Sequence, residues 1–79
     1  MTKEEIYNRV EVLIKERQSD LVVTPTLRIK EDLNADSVDL MEFIIALEDE
    51  FQIDIPDPEA DTLVTLQDVV DYVAGKLEG

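Results

Sequence analysis

The chain has 79 residues, no cysteine, no histidine and a formal net charge of −13. This length suits one domain, near the lower limit for a fold held by a hydrophobic core alone, and leaves little room for a deep enclosed active site. The missing residue types exclude disulfides, thiolate nucleophiles, zinc-finger ligand sets and the commonest general base. We therefore expect a single domain over residues 1–79 whose chemistry uses hydroxyls, carboxylates or an imported group.

The charges are distributed unevenly along the chain. Residues 31–75 hold fourteen of the twenty acidic residues and none of the seven basic ones, which gives this stretch a net charge of −14. Because phosphate binding needs Lys and Arg, nucleic acids and anionic membranes are poor partners, whereas basic protein surfaces are good ones. Acidity that only maintains solubility is the alternative, but the segregation of the acids favours a docking surface.

No feature of the sequence indicates export or membrane insertion. The first ten residues include Lys3, Glu4, Glu5 and Arg9, so they lack the apolar core of a signal peptide. No apolar run approaches the ~20 residues that span a bilayer. We expect a soluble, monomeric, cytoplasmic protein.

The N-terminal segment is predicted to form a helix over residues 3–17. Thr2 and Glu5 have the spacing of a capping box, and the apolar residues that follow recur on one helical face: Ile6, Val10, Leu13 and Ile14. Residues 18–36 then make a long connection whose scattered apolar side chains can anchor it to the core: Leu21, Val22, Val23, Leu27, Ile29 and Leu33. A loop so long in so small a domain is more often functional than accidental.

Three further helical segments are predicted. A helix over residues 37–51 has one apolar face, made of Leu40, Phe43, Ile44, Leu47 and Phe51. A short turn over residues 57–61 is predicted to have Asp57 as its N-cap and Pro58 at its first position. A last helix, capped by Thr65, is predicted to run to about residue 77. Its apolar residues repeat the spacing of those in the second helix: Leu66, Val69, Val70, Val73 and Leu77. The sequence thus predicts an all-α fold, a small acidic four-helix bundle with three main helices, one short helix and a long first loop.

Motifs for catalysis or for a metal site are absent or incomplete. Asp32, Asn34 and Asp36 match the first ligands of an EF-hand loop, but Ser37 stands where that loop needs glycine and Phe43 where it needs a bidentate Glu. The two glycines cannot build a P-loop or a dinucleotide-binding turn, and a serine triad would lack its histidine. We expect no metal site and no intrinsic catalysis.

The second predicted helix carries a second apolar stripe beside its core face. This stripe consists of Val38, Met41 and Ile45, and acidic residues border it: Asp39, Glu42, Glu48 and Asp49. We interpret Glu48, Asp49 and Glu50 as a solvated helix surface. Packing of the stripe by the long loop is an alternative, above all for Val38. For Met41 and Ile45 we favour exposure, because an apolar patch ringed by acids suits transient docking of basic partners.

Asp36 and Ser37 stand at the beginning of this helix. Either residue is an ordinary N-cap in most proteins. A hydroxyl at a helix N-terminus is also well placed to carry a phosphate ester, because free backbone N–H groups and the positive end of the helix dipole favour an anion there.

Residues 31–60 resemble the signature region of acyl carrier proteins. The resemblance extends over nearly the whole chain in length, helix order and acidity, and it depends on residues at the family spacing: Leu33, Ala35, Asp36, Ser37, Glu42, Ala46, Leu47, Glu48, Phe51, Ile55 and Pro56. Two positions depart from the family pattern. Asn34 replaces a common glycine, which is tolerable because Asn readily visits left-handed backbone conformations. Val38 replaces the usual leucine, which leaves open which partners and which pathway the chain serves.

The resemblance implies that a separate phosphopantetheinyl transferase attaches 4'-phosphopantetheine from coenzyme A to Ser37, with Asp36 helping to position the metal of that transferase. The arm would supply the thiol that a chain without cysteine lacks. The resemblance also implies that acyl-loading and acyl-processing enzymes with basic surfaces dock at Val38, Asp39, Met41, Glu42, Ile45 and Glu48. The acyl chain would withdraw between the helices past residues that are equally well explained as ordinary core: Phe43, Leu47, Ile55, Ala60, Leu63 and Leu66.

The leading hypothesis is a discrete carrier that presents acyl thioesters to the enzymes of fatty-acid synthesis, since the chain begins at Met1 and includes no fused enzyme. The first alternative is a carrier for polyketide, aminoacyl or other specialised acyl groups. The second is an acidic helical interaction module that carries nothing. Modification of Ser37 would distinguish the carriers from the module.

Overall fold

The computed structural model describes residues 1–32 and 36–78, with the side chain of Ser37 excepted. Within these ranges the chain forms four helices and no strand. They are α1 (Lys3–Arg17), α2 (Ser37–Phe51), α3 (Asp57–Ala60) and α4 (Leu66–Glu78). The predicted all-α bundle with a long first loop is confirmed. The predictions for Leu33, Asn34, Ala35 and the Ser37 hydroxyl lie outside the described residues.

Two capping boxes set the beginnings of α1 and α4. The Thr2 hydroxyl accepts a hydrogen bond from the Glu5 N–H at 3.2 Å, and the Glu5 carboxylate accepts one from the Thr2 N–H. Thr65 and Asp68 repeat the arrangement before α4, with both backbone hydrogen bonds at 3.2 Å. Because these bonds satisfy N–H groups that have no partner within the helix, they fix where each helix begins.

The short helix α3 begins one residue earlier than predicted. Asp57 is its first residue, and Pro56 occupies the N-cap position without a side-chain hydrogen bond. The Pro56 carbonyl accepts hydrogen bonds from the Glu59 and Ala60 N–H groups at 3.0 and 2.9 Å. Pro58 therefore lies at the second helical position, which suits it equally well because the N–H groups of the whole first turn have no partner within the helix.

The core lies where the apolar faces of the helices meet. α1 packs along α4 and also contacts α2. The buried residues of the three main helices include nearly all of those predicted: Ile6, Val10, Ile14, Phe43, Ile44, Leu47, Phe51, Leu66, Val69, Val70 and Val73. Leu13 and Leu40 are half-buried.

The predicted end of α4 near residue 77 is confirmed, but Leu77 does not belong to the buried face: it is 38% exposed, whereas Ala74 is buried. Lys3, the first residue of α1, pairs with Asp71 at 3.1 Å. Leu77 lies beyond Ala74, the last buried residue of α4, so the final turn of the helix is outside the core.

The long first loop is anchored to the core and to the segment before α4. Leu27 and Ile29 are buried, as predicted, whereas Val22 is 77% exposed and its predicted anchoring role was wrong. The Ile29 N–H donates to the Val64 carbonyl at 3.1 Å, and the Leu66 N–H donates to the Leu27 carbonyl at 2.8 Å. These bonds hold the loop as a short ladder beside α4.

Ion pairs connect α1 to its neighbours. Arg9 contacts Glu50 at 2.9 Å and Arg17 contacts Glu42 at 3.5 Å, so α1 and α2 run antiparallel. Hydrogen bonds from Lys3 and Gln67 hold the pKa of Asp71 in α4 below its ordinary value. All of these pairs are exposed, and such pairs contribute little to stability individually. No helix in the described ranges is both long enough and apolar enough to cross a membrane.

Candidate functional site

Asp36 fixes the beginning of α2. Its Oδ1 accepts hydrogen bonds from the Val38 and Asp39 N–H groups at 3.0 and 2.9 Å, and its carbonyl accepts the Leu40 N–H at 3.0 Å. Of the two candidate caps, Asp36 is therefore the N-cap and Ser37 is the first helical residue. The backbone of Ser37 is held at the head of α2 by hydrogen bonds on both sides of it.

The expectation that free N–H groups at this helix end would favour a phosphate ester was wrong for Val38 and Asp39. Their N–H groups are already occupied by the Asp36 carboxylate. This carboxylate also places a negative charge next to Ser37, which opposes a second anion. A cation from another part of the chain would offset this repulsion.

The second apolar stripe of α2 is exposed. Val38, Met41 and Ile45 are 61%, 59% and 50% exposed, so the alternative in which the long loop packs against them was wrong. The neighbouring acidic residues Asp39 and Glu42 are also exposed. We call Val38, Met41 and Ile45 the docking stripe.

Two of the acidic residues around the docking stripe have partners within the chain. Glu42 pairs with Arg17. Glu48 is half-buried, and its Oε2 accepts a hydrogen bond from the Ile55 N–H at 2.9 Å. The interpretation of Glu48 as part of a solvated surface was therefore wrong, because the chain returns past this residue on its way from α2 to α3.

An open groove of about 700 Å³ lies between α2 and α3, and we call it the α2–α3 groove. Its walls are apolar over most of their area, and its rim is charged. The apolar lining residues are Leu40, Met41, Ile44, Ile45, Ile55 and Ala60, and the charged ones are Lys30, Asp36, Glu48, Asp57 and Asp61. Because Asp36 belongs to the rim, the groove reaches the head of α2, and Met41 and Ile45 join the groove to the docking stripe.

The structure places the six acyl-pocket candidates in two different environments. Ile55 and Ala60 line the groove. Phe43, Leu47, Leu63 and Leu66 are buried in the closed core and do not line it. The ordinary-core interpretation describes these four.

Sequence reasoning missed several residues of the groove wall. Leu40 and Ile44 were predicted as core, although their spacing of four residues on the edge next to Met41 and Ile45 is a signal for a shared wall. Lys30 also lines the groove, on its charged rim, and no pattern in the sequence indicated it.

The groove beside the head of α2 suits the uncharged parts of a phosphopantetheine arm. Such an arm combines a phosphodiester, methyl and methylene groups, two amides and a terminal thiol. Apolar side chains such as Leu40, Ile44 and Ile55 suit its hydrocarbon parts, and the charged rim leaves its polar parts next to water. An arm attached beside Asp36 would enter the groove at its end.

Comparison with known proteins agrees with this geometry. The family model described as the phosphopantetheine attachment site matches residues 5–73. The acyl carrier protein of Thermosynechococcus vestitus is 43% identical over an aligned length of 79 residues, with 98% of each chain covered. That of Lactobacillus acidophilus is 43% identical over 76 residues, with 92% of this chain and 94% of the relative covered.

A solved structure of the acyl carrier protein from Enterococcus faecalis also matches. It is 41% identical, and the superposition has a TM-score of 0.81 and covers 96% of this chain and 99% of that one. Family model, relatives and structure agree over nearly the full length. The chain therefore belongs to the acyl carrier protein family, whose members carry acyl groups on a phosphopantetheine prosthetic group.

Proposed function

We propose that Ser37 is the attachment point of the 4'-phosphopantetheine arm and that the chain carries acyl groups for fatty-acid synthesis. One observation supports this assignment above the others: Ser37 is the first residue of α2, where the docking stripe and the α2–α3 groove begin together. The other serine, Ser19, lies in the loop after α1 and is not among the residues that line the groove. A group attached at Ser37 is therefore next to the docking stripe, where enzymes can bind, and next to the α2–α3 groove, where an acyl chain can be covered.

The residues around Ser37 have separable tasks in this proposal. Asp36 holds the head of α2 in place and presents Ser37 to the transferase. Leu40, Ile44 and Ile55 exclude water from the part of the acyl chain that enters the groove. When bound, the arm supplies the thiol on which acyl groups are carried as thioesters. The chain itself provides no catalytic step, and separate enzymes load and remove the cargo.

The docking stripe is the surface that we assign to those enzymes. It presents exposed apolar side chains inside an acidic rim, with Asp39 and Glu42 exposed and Glu48 at the edge of the groove. Basic partners would be steered by the acids and held by the apolar contacts. The transferase and the acyl-processing enzymes would use this one surface in turn. A monomeric state and a cytoplasmic location stay predictions from the sequence.

Attachment at Ser37 is tested by intact-mass measurement. The wild-type chain, incubated with coenzyme A and a phosphopantetheinyl transferase, is expected to gain the mass of one phosphopantetheine. Ser37→Ala is expected to gain none, because the acceptor hydroxyl is gone. Ser19→Ala is the matched control and is expected to behave like the wild type.

Two results would contradict this assignment. No mass gain in the wild-type chain would favour the interaction module that carries nothing. A gain that persists in Ser37→Ala would move the attachment point to another residue.

The docking stripe is tested by Met41→Ala and Ile45→Ala, with Val12→Ala as the control. Val12 is 56% exposed on α1, so all three changes shorten an exposed apolar side chain. Each is expected to change the free energy of unfolding by less than about 0.5 kcal/mol. Only the two α2 variants are expected to raise the transferase KM, by about fivefold. Equal effects in all three variants would remove the stripe as a specific surface.

The pathway is tested by acyl loading of the modified chain. Purified loading enzymes from fatty-acid, polyketide and aminoacyl systems are compared at equal concentrations. The proposal expects the highest kcat/KM with the fatty-acid enzyme. A higher value with either of the others would assign the chain to a specialised pathway.

A further inference from the structure

Lys30 is a positive charge on the otherwise acidic rim of the α2–α3 groove. It is exposed and lines the α2–α3 groove together with Asp36, Glu48, Asp57 and Asp61. Among the described lining residues it is the one cation. Its position therefore suits it to pair with an anionic group that enters the groove.

The other basic residues already have partners. Each of five pairs with a carboxylate within 4.0 Å, and Lys76 lies over the Tyr72 ring at 5.5 Å; the five are Lys3, Arg9, Lys15, Arg17 and Arg28. Lys30 makes no ion pair with any residue in the described ranges, although it shares the groove with four acids. Its charge is available for a ligand.

The backbone next to Lys30 is held firmly. Ile29 is fully buried, and its N–H donates to the Val64 carbonyl at 3.1 Å. Arg28 forms the antiparallel bridge with Thr65, and the Asp32 N–H donates to the Arg28 carbonyl at 2.8 Å. The long side chain of Lys30 therefore starts from a fixed point on the groove wall, which restricts where its ammonium group can reach.

The head of α2 lacks a countercharge of its own. The Asp36 carboxylate occupies the N–H groups of Val38 and Asp39 and adds a negative charge beside Ser37. A phosphodiester at Ser37 would therefore sit in a repulsive field unless a cation approached it. Lys30 lines the same groove as Asp36 and is the cation in a position to do so.

We propose that the Lys30 ammonium group pairs with the phosphodiester of the arm and keeps the first part of the arm against the groove. This inference rests on the proposed attachment at Ser37. Lys30 acts as a positioning residue, because it touches the anchor of the arm and not the reacting thioester. As a consequence, the arm would lie in the groove, where the acyl chain is shielded from water, more often than in free solution.

The first test compares lysine labelling in the unmodified and modified chains. Both forms are acetylated briefly, and mass spectrometry of peptides gives the ratio of labelling at Lys30 to labelling at Lys15, which pairs with Glu11 on α1. Attachment of the arm is expected to lower this ratio about twofold, a size typical of an exposed ion pair. In about 1 M salt the difference should disappear, because screening then acts over ~3 Å.

The second test is the phosphorus resonance of the modified chain. In the wild type we expect a nuclear Overhauser effect between the side chain of residue 30 and the methyl groups next to the phosphate. Lys30→Gln is expected to abolish this effect and to shift the phosphorus resonance. Lys30→Arg should keep both signals near the wild type, because the charge is retained. Lys15→Gln is the control and should leave the resonance unchanged.

The outcomes separate the two proposals. If the chain gains no phosphopantetheine, the proposed attachment fails before Lys30 is examined. If the chain is modified but labelling of Lys30 and the phosphorus resonance do not respond, attachment stands and the role of Lys30 is overturned. Slow acetylation of Lys30 in both the unmodified and the modified chain would also overturn this role. It would indicate that Lys30 pairs with Asp57 or Asp61 instead.

Discussion

Asp36 shows at the scale of one residue how a stabilising contact changes the chemistry beside it. Its carboxylate satisfies two N–H groups that α2 cannot satisfy internally. The same bonds remove those groups as ligands for a phosphate on Ser37. Capping and anion binding compete for one set of donors, and in this chain capping occupies them.

The first prediction concerns this cap. Asp36→Ala should lower the free energy of unfolding by about 1 kcal/mol, because the Val38 and Asp39 N–H groups lose their acceptor. Asp36→Ser and Asp36→Asn should retain most of the stability. Urea unfolding gives these values, and Asp20→Ala in the exposed loop is the control. A loss in Asp36→Asn as large as in Asp36→Ala would mean that the charge matters and not the cap.

At the scale of the helix, Glu48 connects α2 to the segment that leads into α3. Its side chain accepts the Ile55 N–H, and its carbonyl accepts the Ile53 N–H at 3.2 Å. Gln52, which precedes Ile53, ends α2 with its backbone in the left-handed conformation, at a φ of 55°. α3 has only four residues and no side-chain cap, so its position depends on this connection. Glu48 therefore helps to set the width of the α2–α3 groove.

The second prediction follows from this contact. Glu48→Ala should lower the free energy of unfolding by about 1–2 kcal/mol, because it leaves the N–H of the buried Ile55 without its acceptor. Glu48→Gln keeps an acceptor oxygen and should lose less. Hydrogen exchange of the Ile55 amide should become faster in Glu48→Ala only.

Asp49→Ala is the control for this experiment, because Asp49 is exposed on the next position of α2. Equal losses in Glu48→Ala and Glu48→Gln would show that the negative charge of Glu48, and not its acceptor, supports the connection.

At the scale of the whole molecule, the distribution of charge dominates. α1 holds four of the seven basic residues, and three of them pair with acids of α2 or α4. α1 is therefore both a wall of the core and a partial countercharge for the acidic elements. The remaining excess of negative charge repels itself and favours expansion of the chain.

The third prediction is that salt stabilises the protein. At neutral pH, moderate salt should raise the midpoint of thermal unfolding by about 4–8 °C for each 1 kcal/mol that screening contributes. Near the sequence pI of about 4.1 the net charge is close to zero, so the same salt step should have little effect. Thermal scans at two salt concentrations and two pH values measure this. A midpoint at neutral pH that does not respond to salt would contradict the prediction.

The sequence by itself determined the local structure and the candidate attachment residue. The beginnings of α1 and α4 are set by capping boxes that each span four residues. The core faces of the helices follow from apolar residues that recur about every 3.6 residues. Both signals are local in the sequence. The position of Ser37 at the head of an acid-rimmed apolar stripe was also readable from spacing. The structure confirms the exposure of that stripe.

Only the tertiary structure decided the features that depend on which elements meet. Leu77 is exposed beyond the last buried residue of α4, and the return of the chain past α2 buries part of Glu48. The groove wall includes Leu40 and Ile44, whereas Phe43 is in the core, and Lys30 and Asp36 line the same groove. Helical periodicity tells which residues share a face, but the partner of each face is set by contacts between segments distant in sequence.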